Sequence, residues 1–194
     1  SDINFLRAIA VVSVIIYHAD INLLEGGWLG VDLFFIISGF LISNIIISEL
    51  NQSNFSFVNF YIRRVKRILP ALFSVLLLSI IAGYIVYFPR EMSTFADSVR
   101  SSTFFYSNYF YKIFDFYTAE SAKSLALLHT WSLSIEEQFY ILFPVVSFIL
   151  FKRYRKEFLP TLIIFSIISI YLNYSSLNIY DKFYNFELRV WEIL

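Results

Sequence analysis

The sequence predicts an all-α bundle of membrane-spanning helices, and three observations carry that expectation. The 194 residues are 58% apolar and 21% aromatic but only 15% charged, too little polar surface to solvate a globule of this size, so lipid must be the solvent for much of the chain. The apolar residues fall in runs of about 20, the length that crosses a bilayer. The charges are clustered rather than spread over a water-facing surface. Cysteine is absent, which excludes disulfides and thiolate metal sites, and two histidines are too few for a metal centre unless carboxylates complete it. A net charge of zero gives no argument for nucleic acid.

The expected spans, in order, are Ile3 to Ile21, Leu29 to Leu50, Ala71 to Phe88, Ile135 to Phe151 and a shorter fifth, Leu159 to Tyr174. The first is too long, and too interrupted by Arg7 and His18, for a cleavable signal peptide, and reads as a retained span. Between the second and third, Val58, Tyr61, Ile62, Val65, Ile68 and Leu69 recur at helical spacing with Arg63, Lys66 and Arg67 opposite. This is the pattern of an amphipathic interfacial helix, with Pro70 opening the next span. Phe104 to Tyr117 is aromatic enough to rest at the membrane interface. A new apolar segment, Val190 to Leu194, closes the chain, so residues 1–194 are expected to be the N-terminal part of one larger transmembrane domain.

Eight of the fifteen Lys and Arg residues lie in two clusters, Arg63 to Arg67 and Lys152 to Lys156. The positive-inside rule assigns both to the cytoplasm, and the two spans between them make the parity consistent. The N-terminus is then inside; the Asp20 to Gly30 loop and the Pro89 to Leu125 connection are outside.

Ionisable groups inside spans are costly, which directs attention to Arg7 and His18. They are eleven positions apart, about three helical turns, so they share a face about 16 Å apart along the axis. Arg7 alone is explained by snorkelling and His18 by an interfacial position; on one face they form a cation near one surface and an imidazole near the other. Asp32 follows the glycine-rich Gly26-Gly27-Trp28-Leu29-Gly30 entry. It is either a carboxylate complementing a helix dipole or one that orients His18 as a general base. Ser38 and Gly39 suit close helix packing. Ser134 and Glu137 have capping-box spacing, which competes with a catalytic role for Glu137; Glu136 has no such structural explanation. Adjacent carboxylates at a membrane boundary repel each other, favouring retention of a proton on one. His129 is expected to be a polar anchor at the interface rather than a second base. The Arg63/Arg64/Lys66/Arg67 cluster is explained by topology and anionic lipid, or by a phosphate clamp for a nucleotide-bearing donor.

The motifs, in order, are Leu6-Arg7 with ten residues before His18, Gly27-Trp28-Leu29-Gly30-Val31-Asp32 through Ser38-Gly39-Phe40, Phe60 to Arg64 through Pro70, His129-Thr130-Trp131-Ser132-Leu133-Ser134-Ile135-Glu136-Glu137-Gln138-Phe139-Tyr140, and Phe186 to Glu192. Through them the chain resembles the integral-membrane acyltransferase-3 family. That resemblance implies a bundle of about ten spans, of which five would lie here. It implies transfer of an acyl group, usually acetyl, from cytosolic acyl-CoA to a hydroxyl of an extracytoplasmic envelope polysaccharide or lipid-linked glycan, without a metal. The family's arginine-to-histidine motif falls on Arg7 and His18, and its Arg-x-x-Arg motif on Arg64 and Arg67. The resulting expectation is that Arg64 and Arg67, with Arg7 and Arg63, hold acyl-CoA. His18 would act as base or transient acyl carrier, with Glu136, Glu137 or Asp32 orienting it. The Trp-Ser-Leu block is similar to that of members carrying a C-terminal extracytoplasmic hydrolase-like domain. Two rivals are a transporter in which Arg7 and His18 line a proton-coupled path, for which paired broken spans and repeat symmetry are missing, and a scaffold whose buried charges only fix packing.

Overall fold

A computed structural model describes residues 2–19, 26–114 and 125–194, and every described element is helical. The order is α1 (Asp2–His18), α2 (Leu29–Asn51), α3 (Phe57–Val86), α4 (Pro89–Thr103), α5 (Ser107–Phe114), α6 (Thr130–Arg153), α7 (Phe158–Ser175), α8 (Ile179–Tyr184) and α9 (Phe186–Ile193). Among the described residues, α2, α3, α6 and α7 are the four helices long and apolar enough to cross a membrane. The first expected span coincides with α1, which is helical but is not one of these four; its 17 residues measure about 26 Å. The rest of that expectation, residues 20 and 21, lies outside the described residues.

Small residues let the helices approach. A Cβ on Gly30 would stand 2.4 Å from the carbonyl oxygen of Ala10, so α1 lies directly on the start of α2. One on Gly39 would stand 1.7 Å from the carbonyl oxygen of Ile193, where the end of α9 abuts the middle of α2. In lipid, packing rather than water exclusion drives helix association, so such approaches carry much of the cohesion. Phe35, Ile42 and Ile46 of α2 then close a core with Trp131, Ile135, Phe139 and Phe143 of α6. The outward faces of α3 and α7 remain apolar and exposed, as at Leu77, Leu78, Ile164 and Ile168.

One helix replaces the expected pair of interfacial helix and span. α3 runs unbroken for 30 residues, with Pro70 inside it and Ser56 Oγ accepting from the Asn59 N–H at its start. Pro70 removes one backbone donor and the helix continues, with Ser74 Oγ donating to the Pro70 carbonyl at 2.8 Å. At about 45 Å, α3 exceeds a hydrocarbon core of about 30 Å, so its basic first turns extend beyond the apolar layer as part of the same rod.

The ion pairs locate the two basic clusters. Arg63 binds Glu49 at 2.7 Å and Arg155 Nη2 donates to Asn51 Oδ1 at 2.9 Å, so both clusters meet the C-terminal end of α2. At the other end, α4 and α5 cover the bundle, joined to α6 by hydroxyls: Ser102 to Thr130 at 2.7 Å, Thr130 to Ser107 at 3.1 Å, and Ser107 to Ser134 at 2.7 Å. The aromatic stretch expected at the interface is partly core, because α5 turns Phe110 and Tyr111 inward while Phe104 and Ile113 stay exposed. Residues 115–117 of that stretch lie outside the described residues.

Candidate functional site

α3 and α6 run antiparallel, and each presents a stripe at helical spacing. From α3 come Arg64, Arg67, Ile68, Ala71, Leu72 and Val75; from α6 come Tyr140, Glu136, Leu133, Thr130 and His129. With Arg7, Phe34 and Ser38 they line a groove of about 410 Å³. Each stripe covers twelve residues, whose eleven rises make about 16 Å of helix. Tyr61 Oη, donating to the Ile141 carbonyl at 3.0 Å, pins the two helices at the arginine end.

The groove is polar at its ends and apolar along its α3 wall. The Arg64 guanidinium lies over the rings of Phe60 and Tyr140 at 5.6 and 5.9 Å, and Arg7 over Phe34 at 5.7 Å. Such stacking orients a guanidinium while leaving its donors free. Nε of Arg7 and Nε of Arg64 are buried without a hydrogen bond among the described residues, as is Oε1 of Glu137. Buried polar atoms are normally satisfied, so unpaired ones around a groove are positioned for a ligand. Glu136 is only 5% exposed, receives the Tyr140 hydroxyl at 3.4 Å, and has Arg7 within electrostatic reach; Glu137 interacts instead with Arg64.

His18 is exposed at the end of α1. Its Nδ1 lies 2.9 Å from the Val14 carbonyl, and because a carbonyl only accepts, the proton sits on Nδ1 and Nε2 carries the free lone pair. Its ring meets that of His129 edge to face, with centroids 4.6 Å apart and planes at 87°. Although part of the His129 ring reaches the surface, surrounding atoms first and His18 second push its pKa down, favouring neutral imidazole.

The structure thus gathers Arg7, Arg64, Arg67 and Glu136 on one groove, with Glu137 beside Arg64 and His18 joined through His129. Two expected members are elsewhere. Arg63 points about 100° away from Arg64, is held by Glu49 and does not line the groove. Asp32 is not brought to His18: its carboxylate receives Arg189 Nη2 at 2.5 Å, and Arg189 also pairs with Glu192 at 2.9 Å. Arg189 is 7% exposed and enclosed by Phe35, Trp131 and Phe183, so Asp32 helps lock α9 to α2. The capping-box reading of Ser134 and Glu137 also fails, because α6 begins at Thr130 and Ser134 is interior, bonded to Ser107.

Sequence reasoning missed His129 and Tyr140 as groove residues and Arg189 as a buried charge. The legible signals were the α6 spacing of His129, Glu136 and Tyr140, and the ionisable residues Glu187, Arg189 and Glu192 beside an apolar segment. Among the described residues, no three His, Asp or Glu side chains converge as metal ligands.

Comparisons with known proteins agree on one chemistry. The family model described as an acyltransferase domain matches residues 1–191. The chain is similar to O-acetyltransferase OatA of Staphylococcus aureus strain NCTC 8325, with 37% identity over 169 residues, 85% of this chain and 28% of that protein. It is also similar to a putative O-acetyltransferase of S. aureus strain COL, SACOL0978, with 39% identity over 154 residues, 79% of this chain and 25% of that protein. The matches thus span about a quarter of those relatives. No solved structure matches the chain.

Proposed function

Since the chain belongs to the acyltransferase-3 family of membrane acyltransferases, we propose that it is the part of a membrane O-acetyltransferase that binds an acyl-CoA and presents its acyl group to a hydroxyl of an extracytoplasmic envelope polysaccharide or lipid-linked glycan. The observation that carries this reading is the polarity of the groove, with guanidinium groups at one end, a histidine pair at the other and an apolar wall between them. Arg64 and Arg67, with Arg7, bind the phosphates of acetyl-CoA at the basic end, which faces the cytoplasm of a bacterial inner membrane, with the N-terminus inside. The pantetheine arm, a chain of similar length to the groove, lies along Ile68, Ala71, Leu72 and Val75.

His18 Nε2 removes the acceptor's hydroxyl proton as the oxygen attacks the thioester carbonyl; the carbon–oxygen bond forms, the carbon–sulfur bond breaks and the thiolate leaves. Glu136, buried on the groove wall between the two ends, stabilises the positive charge that develops on imidazole, whereas Glu137 orients Arg64 at the basic end. The test is transfer of acetyl from acetyl-CoA to envelope glycan by the full-length protein. His18→Ala abolishes transfer while the protein remains inserted; retained transfer refutes the assignment.

A further inference from the structure

We propose that His129 is a second catalytic histidine, which receives the proton that His18 takes from the acceptor hydroxyl and delivers it to the departing thiolate of the donor. The inference rests on the acyl-transfer reading above and adds to it the path of the proton.

The reaction moves one proton from oxygen to sulfur. His18 accomplishes only half of this, because its Nδ1 is committed to the Val14 carbonyl and Nε2 is its one working nitrogen. It also stands outside the groove lining, whereas His129 is part of it. His129 behaves unlike a cap or an anchor: it occupies the N-cap position of α6 yet its side chain caps nothing, and its ring makes no hydrogen bond among the described residues. The two rings are in contact with centroids 4.6 Å apart, and a turn about the broad χ2 torsion of His129 brings one of its nitrogens towards His18 Nε2 while the His18 bond to Val14 is kept. The charged and titratable groups facing the groove from the packed elements are Arg7 of α1, Arg64 and Arg67 of α3, and Glu136 and Tyr140 of α6. Burial first and the neighbouring His18 ring second favour the neutral form of His129 at rest. The proton then passes from acceptor oxygen to His18 Nε2, from His18 to His129, and from His129 to sulfur, leaving ester, free thiol and both histidines neutral.

The test uses full-length protein in liposomes with acetyl-CoA and its glycan acceptor, following both acyl transfer and thiol release against pH. His129→Gln and His129→Asn retain a hydrogen-bonding group at the position and remove the titration. The expected result for both is a fall in kcat of about 100-fold, the lower end for loss of an acid–base group, with KM for acetyl-CoA unchanged. The acid limb also becomes shallower: the wild type requires two neutral imidazoles and each variant one. Wild-type rates in the variants overturn the proposal. A lower rate with an unaltered pH profile overturns it too, because it assigns His129 a structural role. If the wild-type protein transfers nothing from acetyl-CoA, the acyl-transfer reading falls and takes this one with it.

Discussion

Arg63 and Arg64 are neighbours in sequence with opposite fates, which makes them the sharpest test of the groove. Arg64 lies over two rings with Nε buried and unpaired, so a donor phosphate would find a preoriented guanidinium. A hydrogen bond to a charged group contributes about 1.5–3 kcal/mol net, so Arg64→Ala should weaken donor binding about 10- to 150-fold. Arg64→Lys should lie between, because the point charge survives and the fork does not. Arg63 is 45% exposed in its side chain and already paired with Glu49. Exposed pairs contribute about 0–1 kcal/mol, so Arg63→Ala should change donor binding by no more than about fivefold and mainly alter stability. The assay is titration of the detergent-solubilised full-length protein with acetyl-CoA at two ionic strengths, since a phosphate contact weakens with salt. Equal losses in the two alanine variants, or none in Arg64→Ala, would refute the groove as the donor site and return the cluster to lipid contact.

Three further outcomes follow from the packing and the charges. Gly39→Val drives a side chain into the Ile193 carbonyl and should cost about 1–3 kcal/mol or more, read as a lower melting temperature in detergent. Arg189→Ala strands Asp32 and Glu192 and should destabilise by about 3–5 kcal/mol, with Asp32→Asn in the same chain restoring part of the loss in thermal unfolding. His129, less basic folded than unfolded, contributes stability that is complete above the unfolded pKa of about 6.5 and is lost as pH falls below it. The pH dependence of melting below that value should therefore be weaker in His129→Gln than in the wild type.

The helical class, four of the spans and the grouping of both basic clusters at one end were legible because they depend on properties summed over many residues: apolar run length, and charge between runs. Contacts were legible only where residue type leaves little choice. Gly39 was expected to serve close packing, and the backbone of Ile193 lies against it. Asp32 shows the limit. Its depth and its neighbour on the preceding helix suggested His18, but the partner it meets is Arg189, 157 residues away, and nothing in helix periodicity brings that residue near. Phe110 and Tyr111 were misplaced for a related reason: an aromatic-rich stretch suits an interface and a core equally, and the choice was made by the Ser102, Thr130, Ser107 and Ser134 hydroxyls that hold α4 and α5 against α6.

The groove itself was hidden by one residue. Reading Pro70 as a helix start divides α3 into an interfacial helix and a span, and the amphipathic pattern is then judged separately on each side. In the unbroken helix, Arg64, Arg67, Ile68, Ala71, Leu72 and Val75 are separated by three, one, three, one and three positions, a single stripe that passes Pro70 without a change of phase. Two consequences follow from that continuity. Arg63, one position before the stripe, is rotated off it and free to bind Glu49, whereas Arg67, three positions after Arg64, stays on it. The rigid rod also fixes the distance between the cations and the apolar wall, which a hinge at Pro70 would leave variable. If Arg64 and Arg67 hold the phosphates of an acyl donor, as proposed above, its reactive end would be delivered at a set depth beside His129 and His18, and the Arg-x-x-Arg spacing would be as much a statement of helical phase as of charge.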